Sequence, residues 1–242
     1  MIPLMDDVPH LRFPWVNYAL ILVNALLFYH ELTLPPGALD QFIATYAFVP
    51  ARLSAALGGG VAEGRDAVLT IFTAMFLHEG WLHFLSNMLF LWIFGDNVED
   101  ALGHLTYLAS YLAFGAAATL AHFFTDPFSS IPALGASGAI AGVLGFYLIL
   151  YPGARVLSLI PVFILFWFVR VPAAIFLFAW FALQALSGVA SIGQQVGGGV
   201  AYWAHIGGFV AGVGIGVLVR VLSERSPDGA YRPRWKGPYR RF

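Results

Sequence analysis

Most of this chain is laid out as apolar segments, each close to the length a helix needs to cross a hydrocarbon core. Between them lie runs that hold the prolines, many of the glycines and most of the charges. A spanning helix takes roughly 20 mostly apolar residues. Segments of that kind occupy residues 15–32, 81–100, 104–125, 137–151, 171–186 and 200–222. With 60% hydrophobic and only 10% charged residues, the chain has too little polar surface to cover itself in water; a soluble domain carries about 25% charged residues. The expected fold class is therefore an all-α membrane protein, a six-helix bundle.

The intervening runs add detail. The connection from Thr33 to Gly80 carries Pro35, Pro36, Pro50 and a Gly58-Gly59-Gly60 run, yet it is apolar at Phe42, Ile43, Tyr46 and Phe48. It reads as a long first loop packed on the membrane surface. Residues 157–169 are intensely apolar but short, bounded by Arg155 and Arg170 and broken by Pro161. Such a run is interfacial or re-entrant more often than spanning, and we place it at the membrane surface. The expected organisation is an N-terminal segment 1–14, a membrane domain 15–222 and a basic tail 223–242. The acidic Asp6 and Asp7 replace the positive n-region of a signal peptide, so the first helix is expected to act as its own insertion signal. Of the twelve Lys and Arg residues, ten fall on one side of the spans: Arg12, Arg155, Arg170, Arg220, Arg225, Arg232, Arg234, Lys236, Arg240 and Arg241. Only Arg52 and Arg65 fall on the other. By the positive-inside rule both termini are expected in the cytoplasm. Glu99 and Asp100 lie at that inner side, where pairing with basic groups is expected.

Several chemistries drop out at once. There is no cysteine, hence no disulfide, thiolate metal site or cysteine nucleophile. The formal net charge of −1 gives no reason to invoke nucleic acid. No cofactor or metal is expected.

Three clusters could carry chemistry. Gly135-Ala136-Ser137-Gly138 opens the fourth span. A serine in the first turn of a helix has unsatisfied backbone N–H groups beside it, and an activated serine needs both a base and such donors. Taken alone, the motif reads as small-residue packing. In the sixth span, His205, Gly208, Gly212 and Gly216 share one face by three- and four-residue spacing. Glycines on that face let a neighbouring helix approach closely, and Ser137, Ala141 and Gly145 form a matching small stripe on the fourth span. An ionisable residue inside a membrane helix is a functional candidate by default. In the second span His83 and Asn87 lie four apart on one face, both able to donate hydrogen bonds; interhelical polar glue is the other reading. Between Asp126 and Glu224 there is no acidic residue, so a Ser-His dyad is the economical arrangement for a hydrolase.

These residues, HxxxN at His83 and Asn87, GxSG at Gly135 to Gly138 and AHxxGxxxG at Ala204 to Gly212, resemble the rhomboid family of intramembrane serine proteases, in the same order. The resemblance runs over about residues 15–222 and includes the cluster Gly95-Asp96-Asn97-Val98-Glu99. It implies Ser137 as nucleophile and His205 as general base and then acid. The Ser137 backbone N–H, Asn87 and His83 would hold the oxyanion, and Gly135 and Gly138 would line the site. Gly145, Gly208 and Gly212 are expected to pack helices. Substrates would be single-span membrane proteins cut in or near the membrane segment, often at small residues, and the other partner is membrane lipid. The region 188–199 with the fifth span would correspond to the substrate access side, and the implied location is a bacterial inner membrane. Two departures from the usual pattern stand out. Leu69 and Thr70 stand where many members have Trp-Arg, and Ala141 stands where many have a Tyr that stacks on the histidine. A catalytically inactive, client-binding relative is the alternative; a small transporter falls behind it, since the chain has no internal repeat.

Overall fold

The computed structural model describes residues 1–9, 11–59, 61–162, 165–191 and 201–225. Most of the Gly/Gln-rich run at 188–199 and the basic tail beyond residue 225 lie outside them. The chain is mainly helical: α1 (Trp15–Thr33), α2 (Pro36–Tyr46), α3 (Pro50–Leu57), α4 (Val61–Thr73), α5 (Trp81–Leu102), α6 (His104–Thr125), α7 (Ser137–Leu150), α8 (Ala173–Ala190) and α9 (Tyr202–Arg225). Pro36 and Pro50 stand in the first turns of α2 and α3, where a missing N–H costs nothing. Gly103, at φ +80°, is the only residue between α5 and α6; a side chain there would strain the backbone.

Two features depart from the all-helical expectation. The connection after α1 is not a loop but α2, α3, α4 and a single 3₁₀ turn, Ala74–Phe76. The apolar run at 157–169 belongs to a β-hairpin, β2 (Arg155–Val162) and β3 (Leu165–Pro172), which with β1 (Ile2–Asp6) makes a three-stranded antiparallel sheet in the order β1-β2-β3. Pro161 forbids a helix interior here, while branched and aromatic side chains suit strands. The β1 pairing ends at Ile2↔Leu159, so Pro161 lies past the stretch where β2 has a partner on both sides, as its missing donor requires.

Among the described residues, three helices are long and apolar enough to cross a membrane: His104–Thr125, Ala173–Ala190 and Tyr202–Leu222. A fourth span arises if Asp66–Phe76 and Trp81–Leu102, bent by 81° at their break, count as one. Asn17, Asn24, His30 and Glu31 dilute α1, and α7 has only 14 residues. The chain is an integral membrane protein, and its helices turn apolar side chains such as Leu26, Leu82, Phe178 and Leu218 outward.

Helix α7 sits in the middle of the bundle, buried without a break from Gly138 to Tyr147. Its packing against α9 is backbone on backbone. A methyl group at Gly208 would lie 2.0 Å from the Gly138 carbonyl oxygen, one at Gly212 1.9 Å from the Gly142 carbonyl oxygen, and one at Gly145 2.2 Å from the Phe209 carbonyl oxygen. On the opposite side of α7, Gly142 takes the Phe114 side chain of α6, and a methyl there would lie 2.3 Å from Phe114 Cβ. The contact stripe on α7 is therefore 138-142-145, one residue out of step with the expected 137-141-145.

The end of the bundle away from Ser137 is tied by carboxylates. Glu99 accepts the backbone N–H groups of Val16 and Asn17 at 3.0 and 2.6 Å and the His104 ring at 2.5 Å. Asp100 accepts the N–H groups of Leu11 and Arg12, each at 3.0 Å. Most of their partners are amides around the start of α1, with the His104 ring as the basic group on Glu99. Nearby, Tyr107 donates to Asn17 at 2.8 Å and Asn17 to the Leu91 carbonyl at 3.0 Å; Gly95 leaves room for that pair. In β1, Asp6 accepts from Asn97 at 2.9 Å and from the Tyr147 hydroxyl.

Two predictions follow from this packing. Gly212→Ala forces a methyl onto a carbonyl oxygen and should cost about 1–3 kcal/mol or more. Gly214→Ala, with nothing within 4 Å, should leave the thermal midpoint in detergent unchanged or slightly raised. Equal midpoints for the two variants would rule out the close α7–α9 contact. The second concerns Asp6, whose carboxyl burial pushes up to about 8, helped by the charges of Asp96 and Asp7 and opposed by the Tyr147 hydrogen bond. The folded chain holds this proton where the unfolded chain, near 3.8, has released it. Its contribution to stability is full below about pH 4 and is lost as pH rises through about 8, with a slope of at most about 1.4 kcal/mol per pH unit. Asp6→Asn should flatten the fall in thermal midpoint between pH 5 and 9; an unchanged slope would point to another group.

Candidate active site

Ser137 is the first residue of α7, and three features of the preceding segment hold it there. Phe48 and Ala133 exchange both backbone hydrogen bonds, N–H to carbonyl, at 3.0 and 2.7 Å. The Gly135 N–H donates to the Ala74 carbonyl at 2.8 Å. Gly135 itself has φ +121°, a conformation that favours glycine, and a methyl on it would lie 2.6 Å from His83 Nε2. The helical connection between α1 and α5 thus holds the serine segment from the side. Leu69 and Thr70 lie in α4, where Thr70 is buried and bonds the Ala67 carbonyl. The connection is anchored instead by the Phe48–Ala133 bridge, by Ser54 to the Pro127 carbonyl at 2.6 Å and by Thr73 to the Tyr46 carbonyl at 2.7 Å.

His205 lies one turn into α9, 7% exposed. Its Nε2 is 2.7 Å from Ser137 Oγ and its Nδ1 is 2.7 Å from Gln184 Oε1 on α8. The Trp180 ring lies 5.8 Å from the imidazole, tilted by 34°. Ala141, four residues after the serine, is fully buried and leaves the imidazole without an aromatic neighbour from α7. Gln184 and Trp180 are the residues that sequence reasoning missed. An amide in an otherwise apolar membrane helix is the signal in the sequence that marks Gln184.

On α5, the Glu79 N–H approaches His83 Nδ1 at 3.5 Å, which leaves Nε2, on the Gly135 side, to carry the proton. Asn87, one turn on, is 6% exposed, and its amide nitrogen has no partner among the described residues. A donor in that state is free to meet an acceptor placed beside it. Behind His83 stands the buried His78, packed on Phe28 and Phe84, with its backbone N–H on the Glu31 carboxylate at 3.3 and 3.2 Å.

A cavity of about 40 Å³ opens beside Ser137. Its walls are small, with Gly115, Ala118, Gly135, Gly138, Ala201 and Ala204, and Thr119 and His122 supply polar atoms. Gly138 also packs: a methyl there would lie 2.6 Å from Ala118 Cβ. Gly145, Gly208 and Gly212 lie deeper, at the α7–α9 contact. The arrangement brings together a hydroxyl, an imidazole that can take its proton, and donors that could receive a negative oxygen.

The Rhomboid domain family model matches residues 65–221. This chain belongs to the rhomboid family. It is 33% identical over 162 residues to rhomboid protein 1, mitochondrial, of Saccharomyces cerevisiae, covering 65% of this chain and 43% of that one. With rhomboid-like protein 11, chloroplastic, of Arabidopsis thaliana, it shares 32% over 159 residues, 63% of this chain and 51% of the other. A shorter stretch, 31% of this chain and 14% of the relative, is 41% identical to rhomboid protease GluP of Bacillus subtilis. The rhomboid described here thus spans about half the length of the first two relatives.

Proposed function

We propose that this rhomboid is an intramembrane serine endopeptidase that cuts single-span membrane proteins in or near their membrane segment. The observation that carries the reading is the 2.7 Å approach of Ser137 Oγ to His205 Nε2 at the head of two glycine-packed helices. In this reading His205 Nε2 takes the hydroxyl proton as Ser137 Oγ attacks the scissile carbonyl. The negative oxygen of the tetrahedral intermediate is held by the Ser137 N–H, Asn87 Nδ2 and His83 Nε2. His205 then passes its proton to the departing amine, and a water repeats the sequence to free the acyl group. Gly135 and Gly138 line the site, and the small cavity beside Ser137 supports a preference for small side chains. GluP, named a rhomboid protease, is consistent with this chemistry.

The same proposal covers the membrane arrangement. The domain spans 15–222 with α1, α5, α6, α7, α8 and α9 as its six membrane helices, preceded by a segment 1–14 and followed by the tail 223–242. The connection from α2 to α4 lies against the membrane surface. The hairpin of β2 and β3 lies in the interface, where the exposed Phe166, Trp167 and Phe168 suit it. Both termini face the cytoplasm of a bacterial cell with this protein in its inner membrane, with lipid and membrane-protein substrates as partners.

The test is labelling of detergent-purified protein with a fluorophosphonate probe. Wild type should label, and Ser137→Ala and His205→Ala should not. Folded protein that fails to label across several detergents and pH values would turn the assignment to an inactive rhomboid that binds membrane clients. In cleavage of a membrane-protein substrate, Asn87→Ala should lose on the order of 10²–10³ in turnover. A loss below about threefold would remove Asn87 from the oxyanion site.

A further inference from the structure

We infer that Gln184 is a positioning residue that selects the reactive tautomer of His205, so that the base is oriented by α8 and not by the serine's own helix; this rests on the protease reading above. A neutral imidazole has one N–H and one lone pair. To take a proton from Ser137, Nε2 must be the bare nitrogen, and Nδ1 must then carry the hydrogen and find an acceptor. Gln184 Oε1 at 2.7 Å is that acceptor. Trp180, one turn earlier on the same face of α8, backs the ring, and the pair at i and i+4 fixes both its rotation and its tilt.

The pair can do this because α8 is itself fixed on α9. Phe181 stacks on Phe209 at 4.6 Å and 24°, and a methyl on Gly188 would lie 3.4 Å from Tyr202 Cβ and 3.3 Å from Ile206 Cδ1. Ala141 on α7 is too small to do the same task. An amide is also the economical partner at this depth. A carboxylate would carry a large desolvation cost within a membrane helix, while a carbonyl oxygen orients the ring without charge. The titratable groups that face His205 are His83 from α5 and His122 from α6; α7 and α8 present serine, tryptophan and glutamine.

Two readouts on wild type, Gln184→Leu and Gln184→Glu test this. One is ¹⁵N NMR of the histidine rings, with the His205 signal identified by its loss in His205→Asn. The other is the fluorophosphonate labelling rate against pH. Wild-type His205 should hold its proton on Nδ1. Gln184→Leu should lose that preference and label between about 10- and 10³-fold more slowly, less than the roughly 10⁴-fold loss when a triad histidine loses a charged orienting partner. Gln184→Glu should restore labelling at high pH, with the acid limb moved upward, because the new carboxylate favours the protonated ring. An unchanged tautomer in Gln184→Leu with labelling within threefold of wild type would overturn the inference. So would a Gln184→Glu variant as slow as Gln184→Leu with an unmoved acid limb, which would mark a merely structural role. If wild type never labels but the tautomer still follows Gln184, the protease reading fails while the positioning role stands.

Discussion

How near α7 and α9 can approach decides whether Ser137 and His205 meet at all. Lipid supplies no hydrophobic force to press two helices together, so contact has to come from close packing and weak polar contacts. Here the glycines at 208 and 212 each lie over a carbonyl oxygen of the facing helix, at 138 and 142. Contacts of a Cα–H on a carbonyl are worth about 0.5–1 kcal/mol each, and they exist only where no side chain intervenes. Both helices advance four residues between the two contacts, so they run parallel and in register. His205 lies one turn before Gly208 on the same face of α9, and its ring reaches Ser137, next to Gly138 in the first turn of α7. The Ser137–His205 hydrogen bond is the visible end of a backbone contact that continues through the bundle.

The two ends of the bundle satisfy their backbone by different means. Beside Ser137, irregular backbone is closed by other backbone: Phe48 with Ala133, and Gly135 with Ala74. This leaves the donors of the first turn of α7 unblocked by any capping side chain, which an oxyanion site requires. At the far end, buried Glu99 and the neighbouring Asp100 cap the entrance to α1 directly. Carboxylates can be afforded there because each oxygen is matched by donors, and there is no reaction for them to disturb. The sheet of β1, β2 and β3 continues this end through Asp6, which reaches both α5 and α7.

The long helices were legible because apolar length and Pro/Gly punctuation are properties of the sequence alone; the bounds of α1, α6 and α7 lie within a residue of those expected. The hairpin at 155–172 was not, since a short apolar run has no period that separates strand from buried helix. Pro161 excluded a helix but did not announce a turn. Ser137, His205, His83 and Asn87 could be named from helix ends and spacing, and the first three cluster around Gly135. The stripe on α7 was read one residue off, because Ala141 and Gly142 are both small and only the facing carbonyls distinguish them. Gln184 escaped because the reading searched for charge. Its partnership with His205 depends on how α8 leans on α9, which local sequence does not encode.

The absence of acid between Asp126 and Glu224 then has a physical sense. Every group gathered around Ser137 is uncharged at rest when its histidines are neutral: hydroxyl, imidazole, amide and backbone N–H. A permanent carboxylate behind His205 would have to be desolvated in every resting molecule, whereas the imidazolium of the proposed reaction exists only while the oxyanion does. These two charges form together and a few ångströms apart, and in a low-dielectric site each is the main stabiliser of the other. A neutral partner at Nδ1 need only fix the ring, because the intermediate supplies the counter-charge. Gln184 meets that requirement without adding charge to a buried site, and a carboxylate in its place would only add a desolvation cost.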